Sequence, residues 1–306
     1  MYFHETKGKN LTLININKPG EKELDYLEKE CKFYPLDVKD CLLPPQRTKI
    51  VERADYLFMV LIFPIYDHQT KEIFSSEVDF FIQKDLLVIV HNNELTPLID
   101  LLKSIENNKD SQEEYLSGNP ATLLYEILNS LLFYCFPILN HISIDIDNIE
   151  KRIFAGHERK MVGEILNVKQ NIVNFRKVMQ AHKTVIRKLI IKAPQFFSII
   201  KLNIYFNNLI EYTKEIWDSL ENYKESINAL HATNETLISF RLNEIMKLLT
   251  IISVVIFPIT LMAAIFGMNV KMPFVEESSY SFWLIMFLML SLSVSMLGYF
   301  KIKKWM

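Results

Sequence analysis

The C-terminal end of this 306-residue chain holds two long runs without a charged side chain. Lys247 and Lys271 bracket the first, residues 248–270. Glu277 and Lys301 bracket the second, residues 278–300, and each run is 23 residues long. About 20 apolar residues cross the hydrocarbon core of a bilayer as a helix. As soluble core helices, two such runs in succession would need a large core that nothing else in the chain supplies. The runs therefore predict two transmembrane helices. They also explain the mixed composition, 50% hydrophobic with 23% charged. Setting aside the four lysines and two glutamates after position 247 leaves 30 basic and 34 acidic residues in 1–247. That part reads as a soluble, mildly acidic body.

The short segment between the runs carries Lys271, Glu276 and Glu277, whereas the tail carries Lys301, Lys303 and Lys304. Excess positive charge marks the cytoplasmic side. The tail is thus expected in the cytoplasm, and two spans put the N-terminal body there too, in a cell (inner or plasma) membrane. The polar start MYFHETKGKN has no apolar signal core. Trp283 and Trp305 stand near opposite ends of the second run, where aromatic belts form.

Several function classes are disfavoured. The seven glycines show no GxGxxG or P-loop spacing, so no nucleotide cofactor is expected. The seven histidines form no HExxH pair, and an enzyme is not expected. Cys31, Cys41 and Cys135 form no CxxC pair and read as reduced and buried. A net charge of −2 argues against a nucleic-acid partner. The basic run His182, Lys183, Arg187, Lys188 and Lys192 reads as a solvated or intersubunit face.

Within the body, residues 11–17, 56–66, 77–83 and 86–91 read as strands, and 21–31 and 95–107 as helices. They form an α/β domain over 1–118, ending after a polar segment at Gly118-Asn119-Pro120. Residues 119–247 read as a helical hairpin that breaks at Ala155-Gly156-His157, then a long stalk helix opened by Pro194. Along the stalk, Leu202, Phe206, Leu209, Thr213, Ile216, Leu220, Tyr223, Ile227, Leu230, Asn234, Leu237 and Arg241 recur at heptad-like steps. With no Gly or Pro between Pro194 and Pro258, one helix is expected over 194–266. Part of its seam is expected to pack within the chain as a bundle helix, and, because a helix this long outreaches a small domain, the stalk is expected to pack against its own copies as well. Residues 248–306 form the membrane domain: a first span at about 248–267, an outer loop 268–279, a second span at about 280–300 and a basic tail 301–306. The fold class is α+β.

The same steps continue into the first span through Asn243, Met246, Thr250, Ser253, Phe257, Thr260, Ala264 and Gly267, with Leu249 beside them. Nearly every polar or small residue of the span lies on this stripe. Small and hydroxyl residues also mediate helix packing in membranes. Asn243 and Asn269 put an amide at each end, and the stripe has no ionisable group, which suits a path for a solute that keeps its own water. Two spans per chain then require several copies around an axis. Pro258 frees the Val254 carbonyl beside Phe257, as a kink or as a constriction.

The first span ends Phe266-Gly267-Met268-Asn269, followed by Met272-Pro273, Glu276-Glu277, a second span and a lysine-rich tail. This layout resembles the CorA family of divalent-cation transporters over the whole chain, most closely at 243–269. The resemblance implies a funnel-shaped homopentamer in the lipid bilayer, with the first span lining the pore. It implies Gly267, Met268 and Asn269 as selectivity filter and Asn243, Met246, Leu249, Phe257 and Thr260 as pore lining. It implies Lys301, Lys303 and Lys304 as a basic ring, and Glu276 and Glu277 as outer groups that concentrate cations. The transported ion is Mg²⁺, with Co²⁺ or Ni²⁺ as further cargo; Zn²⁺, as in the related ZntB branch, is the alternative. A non-conducting membrane-anchored sensor or scaffold is the rival of a different class. The chain departs from the family at Phe266 (usually Tyr), Phe257 (commonly Met) and Phe274 (usually Glu). The family's regulatory cation site between protomers maps to Asn208 and Glu211 on the stalk, where an aspartate is usual, and to Asp67 on the other side.

Overall fold

A computed structural model describes residues 3–43, 47–197, 202–268, 279–303 and 305. Asn269, Glu276, Glu277 and Lys304 lie outside the described residues. The chain divides into two compact units, Met1–His231 and Ala232–Met306.

The first unit is built on a six-stranded sheet. Its strands are β1 (Phe3–Lys7), β2 (Thr12–Asn17), β3 (Lys49–Glu52), β4 (Leu57–Asp67), β5 (Glu72–Ile82) and β6 (Leu86–His91), in the order β1-β2-β6-β5-β4-β3. Only β2 and β6 run parallel; the other neighbours are antiparallel. Side chains alternate between faces along a strand. Ile14, Ile16, Phe58, Val60, Phe81, Val88 and Val90 therefore share one face, packed with Leu27 of α1 (Glu21–Lys29) and Val38 of α2 (Pro35–Asp40). Alternate residues such as Met59, Leu61, Phe63, Phe80 and Ile89 are buried on the other face. That face is covered by α5 (Pro120–Phe154) and α6 (Glu158–Met179). A sheet buried on both faces reads as continuous apolar runs, which is why β4 and β6 are visible in the sequence.

The edges are not visible. β1 is FHETK and β3 only KIVE, the short charged strands that protect a sheet from pairing further. β5 starts at Glu72, five residues before the expected 77, because the β4–β5 hairpin pairs Asp67 with Glu72 across a turn. The polar segment read as a linker holds a helix, α4 (Lys109–Leu116), after α3 (Thr96–Asn107). Asn108 caps α4 by accepting from the Asp110 N–H at 2.9 Å. Leu116 is buried, and its carbonyl accepts from the N–H of Asn10 and Leu11. A Cβ at Gly8 would lie 2.2 Å from the Leu116 Cβ, so only glycine admits this approach.

Asn119 caps α5 through the Ala121 N–H, and Pro120 occupies its first position, where a missing N–H costs nothing. The helix ends at the expected break, with Gly156 at φ 93°. The helix that leaves the break is interrupted at Gln180-Ala181 and resumes as α7 (His182–Lys192). Pro194 does not open the long helix. It sits in a single 3-10 turn, Ala193–Gln195, whose Ala193 carbonyl accepts from Phe196 and Phe197. Lacking an N–H, Pro194 cannot extend the α7 ladder, so it ends that helix instead. The long helix α8 spans Asn203–Phe266, 64 residues.

Part of the heptad-like seam packs within the chain, as expected. Phe206, Leu209, Thr213, Ile216, Leu220 and Ile227 are buried inside a single chain. They face α5 and α6: Tyr125 meets Phe206, Phe136 meets Tyr212, and Arg176 pairs with Glu221 while covering the Trp217 ring at 4.8 Å. A heptad pattern records a buried stripe, not which chain buries it, and here the chain's own hairpin does. Of the three free thiols, Cys41 and Cys135 are buried and Cys31 is half-buried.

The second unit contains the C-terminal part of α8 and α9 (Ser279–Ile302). By length and composition α5, α8 and α9 are all apolar enough to cross a bilayer. They differ in cover: half of the apolar window of α5 is buried in the fold, against 6% for α8 and 0% for α9.

Candidate functional site

The described members of the polar stripe up to Ala264 lie on α8, and Gly267 follows its last residue. All of them are exposed; Met246 is 60% and Phe257 71% open. The covered or partly covered positions of the same stretch are Ile251, Val255, Pro258, Ile259 and Met262. At about 100° per residue, these two sets point in roughly opposite directions around the helix. Exposure is not confined to the stripe: Ile252, Val254, Ile256, Leu261 and Ile265, on other faces of the helix, are open too. Leu249, at the next position, is also exposed.

The hydroxyls on the stripe are oriented by the helix itself. Thr250 Oγ1 donates to the Met246 carbonyl at 2.8 Å, Ser253 Oγ to Leu249 at 2.9 Å and Thr260 Oγ1 to Ile256 at 3.0 Å. Each hydroxyl proton is consumed by the carbonyl four residues back. What each oxygen has left is lone pairs. The stripe therefore offers acceptors and no charge. A water molecule held by a cation presents hydrogens outward, so this surface matches the shell of a hydrated cation.

At its C-terminal end the helix stops through a change of bonding. The Gly267 N–H reaches the Ala263 carbonyl at 2.9 Å, and Met268 reaches only three residues back, to Ile265 at 3.2 Å. A Cβ at Gly267 would stand 3.0 Å from the Ala263 oxygen, a tight contact that glycine avoids. Met268 is exposed. Asn269 follows outside the described residues, as do Glu276 and Glu277. In the tail, Lys301 and Lys303 are exposed, and Trp305 packs on Phe300 with ring centroids 5.9 Å apart.

The expected regulatory residues are divided. Asp67 ends β4, and its carboxylate accepts from the Gln69 N–H at 2.7 Å and, more weakly, from Thr70. Those backbone bonds hold its carboxyl below the usual range. Asn208 and Glu211 line one shallow cavity on α8, together with Arg187 of α7; Asp67 is not part of it. Among the described residues, no group of three or more His, Cys, Asp or Glu side chains is placed to hold a metal. Arg187 was hidden in a basic run. Its neighbours separate by structure: His182 is fully buried and Lys192 pairs with Glu52. No spacing signal distinguishes these three roles.

The CorA-like Mg²⁺ transporter family model matches residues 8–304. The cobalt/magnesium transport protein CorA of Thermotoga maritima is 27% identical over 95% of this chain and 83% of its own length. That of Methanocaldococcus jannaschii is 23% identical over 96% and 91%. The solved structure of the complete M. jannaschii CorA magnesium transporter superposes with a TM-score of 0.83 at 22% identity, covering 97% of this chain and 92% of that one. The cytoplasmic domain of ZntB from Vibrio parahaemolyticus shares the fold at a TM-score of 0.61 and 10% identity. With a family match across almost its full length, a mixed α+β body and two exposed apolar C-terminal helices, the chain belongs to the CorA-like family of membrane divalent-cation transporters.

Proposed function

We propose that the chain passes hydrated Mg²⁺, with Co²⁺ and Ni²⁺ as further cargo, down its electrochemical gradient through a funnel-shaped homopentamer. α8 lines the pore in this reading, α9 surrounds it, and both termini are cytoplasmic. The observation that carries the reading is the charge-free stripe of acceptors along one exposed side of α8. Mg²⁺ gives up its water reluctantly. A pore that accepts hydrogen bonds from the water shell need not strip it, and neutral oxygens bind weakly enough to let the ion leave. Gly267, Met268 and Asn269 form the outer filter, and Glu276 and Glu277 raise the local cation concentration. An inside-negative potential supplies about 2.3 kcal/mol per charge per 100 mV, so roughly 4.6 kcal/mol for a dication, without nucleotide. Met246, Leu249 and Phe257 close the pore by dewetting. Lys301, Lys303 and Lys304 ring the inner mouth. Asp67, Asn208 and Glu211 are carried as the regulatory cation set, with Arg187 competing for the same oxygens. The functional divisions are 1–118, 119–247 and 248–306.

The test is cation-resolved flux into proteoliposomes under an inside-negative potential. Mg²⁺ uptake that Zn²⁺ fails to displace supports the reading. Uptake of Zn²⁺ in preference to Mg²⁺ transfers the chain to the ZntB-type alternative, and no flux of any dication leaves the anchored scaffold.

A further inference from the structure

A second place in the first unit has the opposite electrostatic character. Beside the β4–β5 hairpin, where α6 gives way to α7, a cavity of about 530 Å³ opens to solvent. This volume lies within the range of small-molecule sites. Its lining includes Arg47, Thr48, Phe74, Ser75, Lys177 and Gln180, and no carboxylate. Neither Arg47 nor Lys177 has an ion-pair partner among the described residues, whereas nearby Lys49, Arg53, Arg176 and Lys192 are all paired. Asp40, which pairs with Lys49, and Glu77 border a small crevice that Arg47 also lines. The Thr48 hydroxyl oxygen is buried without a hydrogen-bond partner. Closed to solvent, that oxygen is not available to a molecule in the cavity. Gln180 ends α6 and Ala181 begins α7, so the partial charges of the two helix ends offset and the field is set by the side chains.

We propose that this cavity binds a small phosphate monoester with a ring-bearing body, of the nucleoside monophosphate class. Two positive charges match a phosphate dianion. The guanidinium fork, the ammonium and the amide of Gln180 offer more donors than the two oxygens of a carboxylate can use. Phe74 is 50% exposed at the rim and gives the ring an apolar platform. Asn174 is a fixed part of the wall: it accepts from Gln170 at 2.8 Å and donates to the Ile73 carbonyl at 3.2 Å. Nothing in the lining can act as a general base or hold a metal, so the site binds without turnover. It does not depend on the transport reading.

Equilibrium dialysis of purified full-length protein in detergent, with chelator present, tests this using AMP, adenosine and inorganic phosphate as separate probes. Saturable AMP binding is expected, weakened at least tenfold by the Arg47→Ala/Lys177→Ala pair. Phe74→Ala is expected to weaken AMP several-fold and leave phosphate unchanged. Adenosine is expected not to bind. Arg47, Lys177 and Phe74 are exposed, so unchanged thermal midpoints of the variants confirm that folding is preserved. Absence of AMP binding at millimolar concentration, AMP binding indifferent to the double substitution, or phosphate binding without AMP binding would each overturn the proposal.

Discussion

The two units use the same apolar residue types in opposite ways. In the first, Ile216 and Leu220 of α8 are fully buried under the chain's own hairpin. In the second, Phe257 further along the same helix is 71% exposed, and Leu290 of α9 is 65% exposed. An apolar surface of that extent is not stable in water. One helix therefore passes from an environment that its own chain supplies to one that its own chain does not supply. Hydropathy identifies the second region, and only the distribution of cover separates it from α5, whose apolar window is half buried.

That contrast can be broken most sharply by a charge. Ile216→Asp places an unpaired carboxylate in the core and is expected to destabilise the first unit by about 3–5 kcal/mol. A large drop in thermal midpoint or loss of folded protein checks it; a near-neutral outcome would mean that the seam is not buried in the chain. Leu290→Asp is expected to leave the first unit folded and to cost roughly 2.5–3.5 kcal/mol of membrane insertion at the helix centre. Membrane fractionation and glycosylation mapping read this, and full insertion would place that face in water.

A smaller effect separates the units by pH. Burial lowers His182 to about pKa 4, with the Val178 carbonyl opposing this without meeting full hydrogen-bond geometry. The unfolded chain takes up that proton near pH 6.5 and the native chain only near 4. Between those values the unfolded state holds more protons, so stability rises with pH, by up to about 1.4 kcal/mol per unit. The contribution is complete above pH 6.5 and is lost on acidification towards 4. His182→Leu is expected to lower the slope of thermal midpoint against pH without abolishing it, since His91 is also lowered to about 4 by burial. An unchanged slope would remove His182 from this role. The smallest expected effect is on closure: Leu249→Gly with Phe257→Gly is expected to raise basal leak about tenfold, or roughly 1.4 kcal/mol of gate. Unchanged leak in liposomes would place the gate elsewhere.

The central strands and the α5 break were legible because burial imposes a period on the residues involved. The edge strands β1 and β3, the docked helix α4 and the end of α7 at Pro194 were not. Their residues are polar or few, and what holds them is contact with distant segments, as Gly8 with Leu116. The heptad-like seam was legible as a buried stripe, and the pattern alone does not say which chain buries it. Arg47 and Lys177 are 130 positions apart and share a cavity that no local pattern announces.

The central claim rests on Asn269 presenting a neutral amide to a hydrated ion at the end of the stripe. The most direct measurement is Mg²⁺ flux through the Asn269→Ala variant in proteoliposomes, with oligomer size and thermal midpoint checked in parallel. The account predicts an intact oligomer whose flux falls at least a hundredfold. An intact oligomer that conducts Mg²⁺ at the wild-type rate would contradict it.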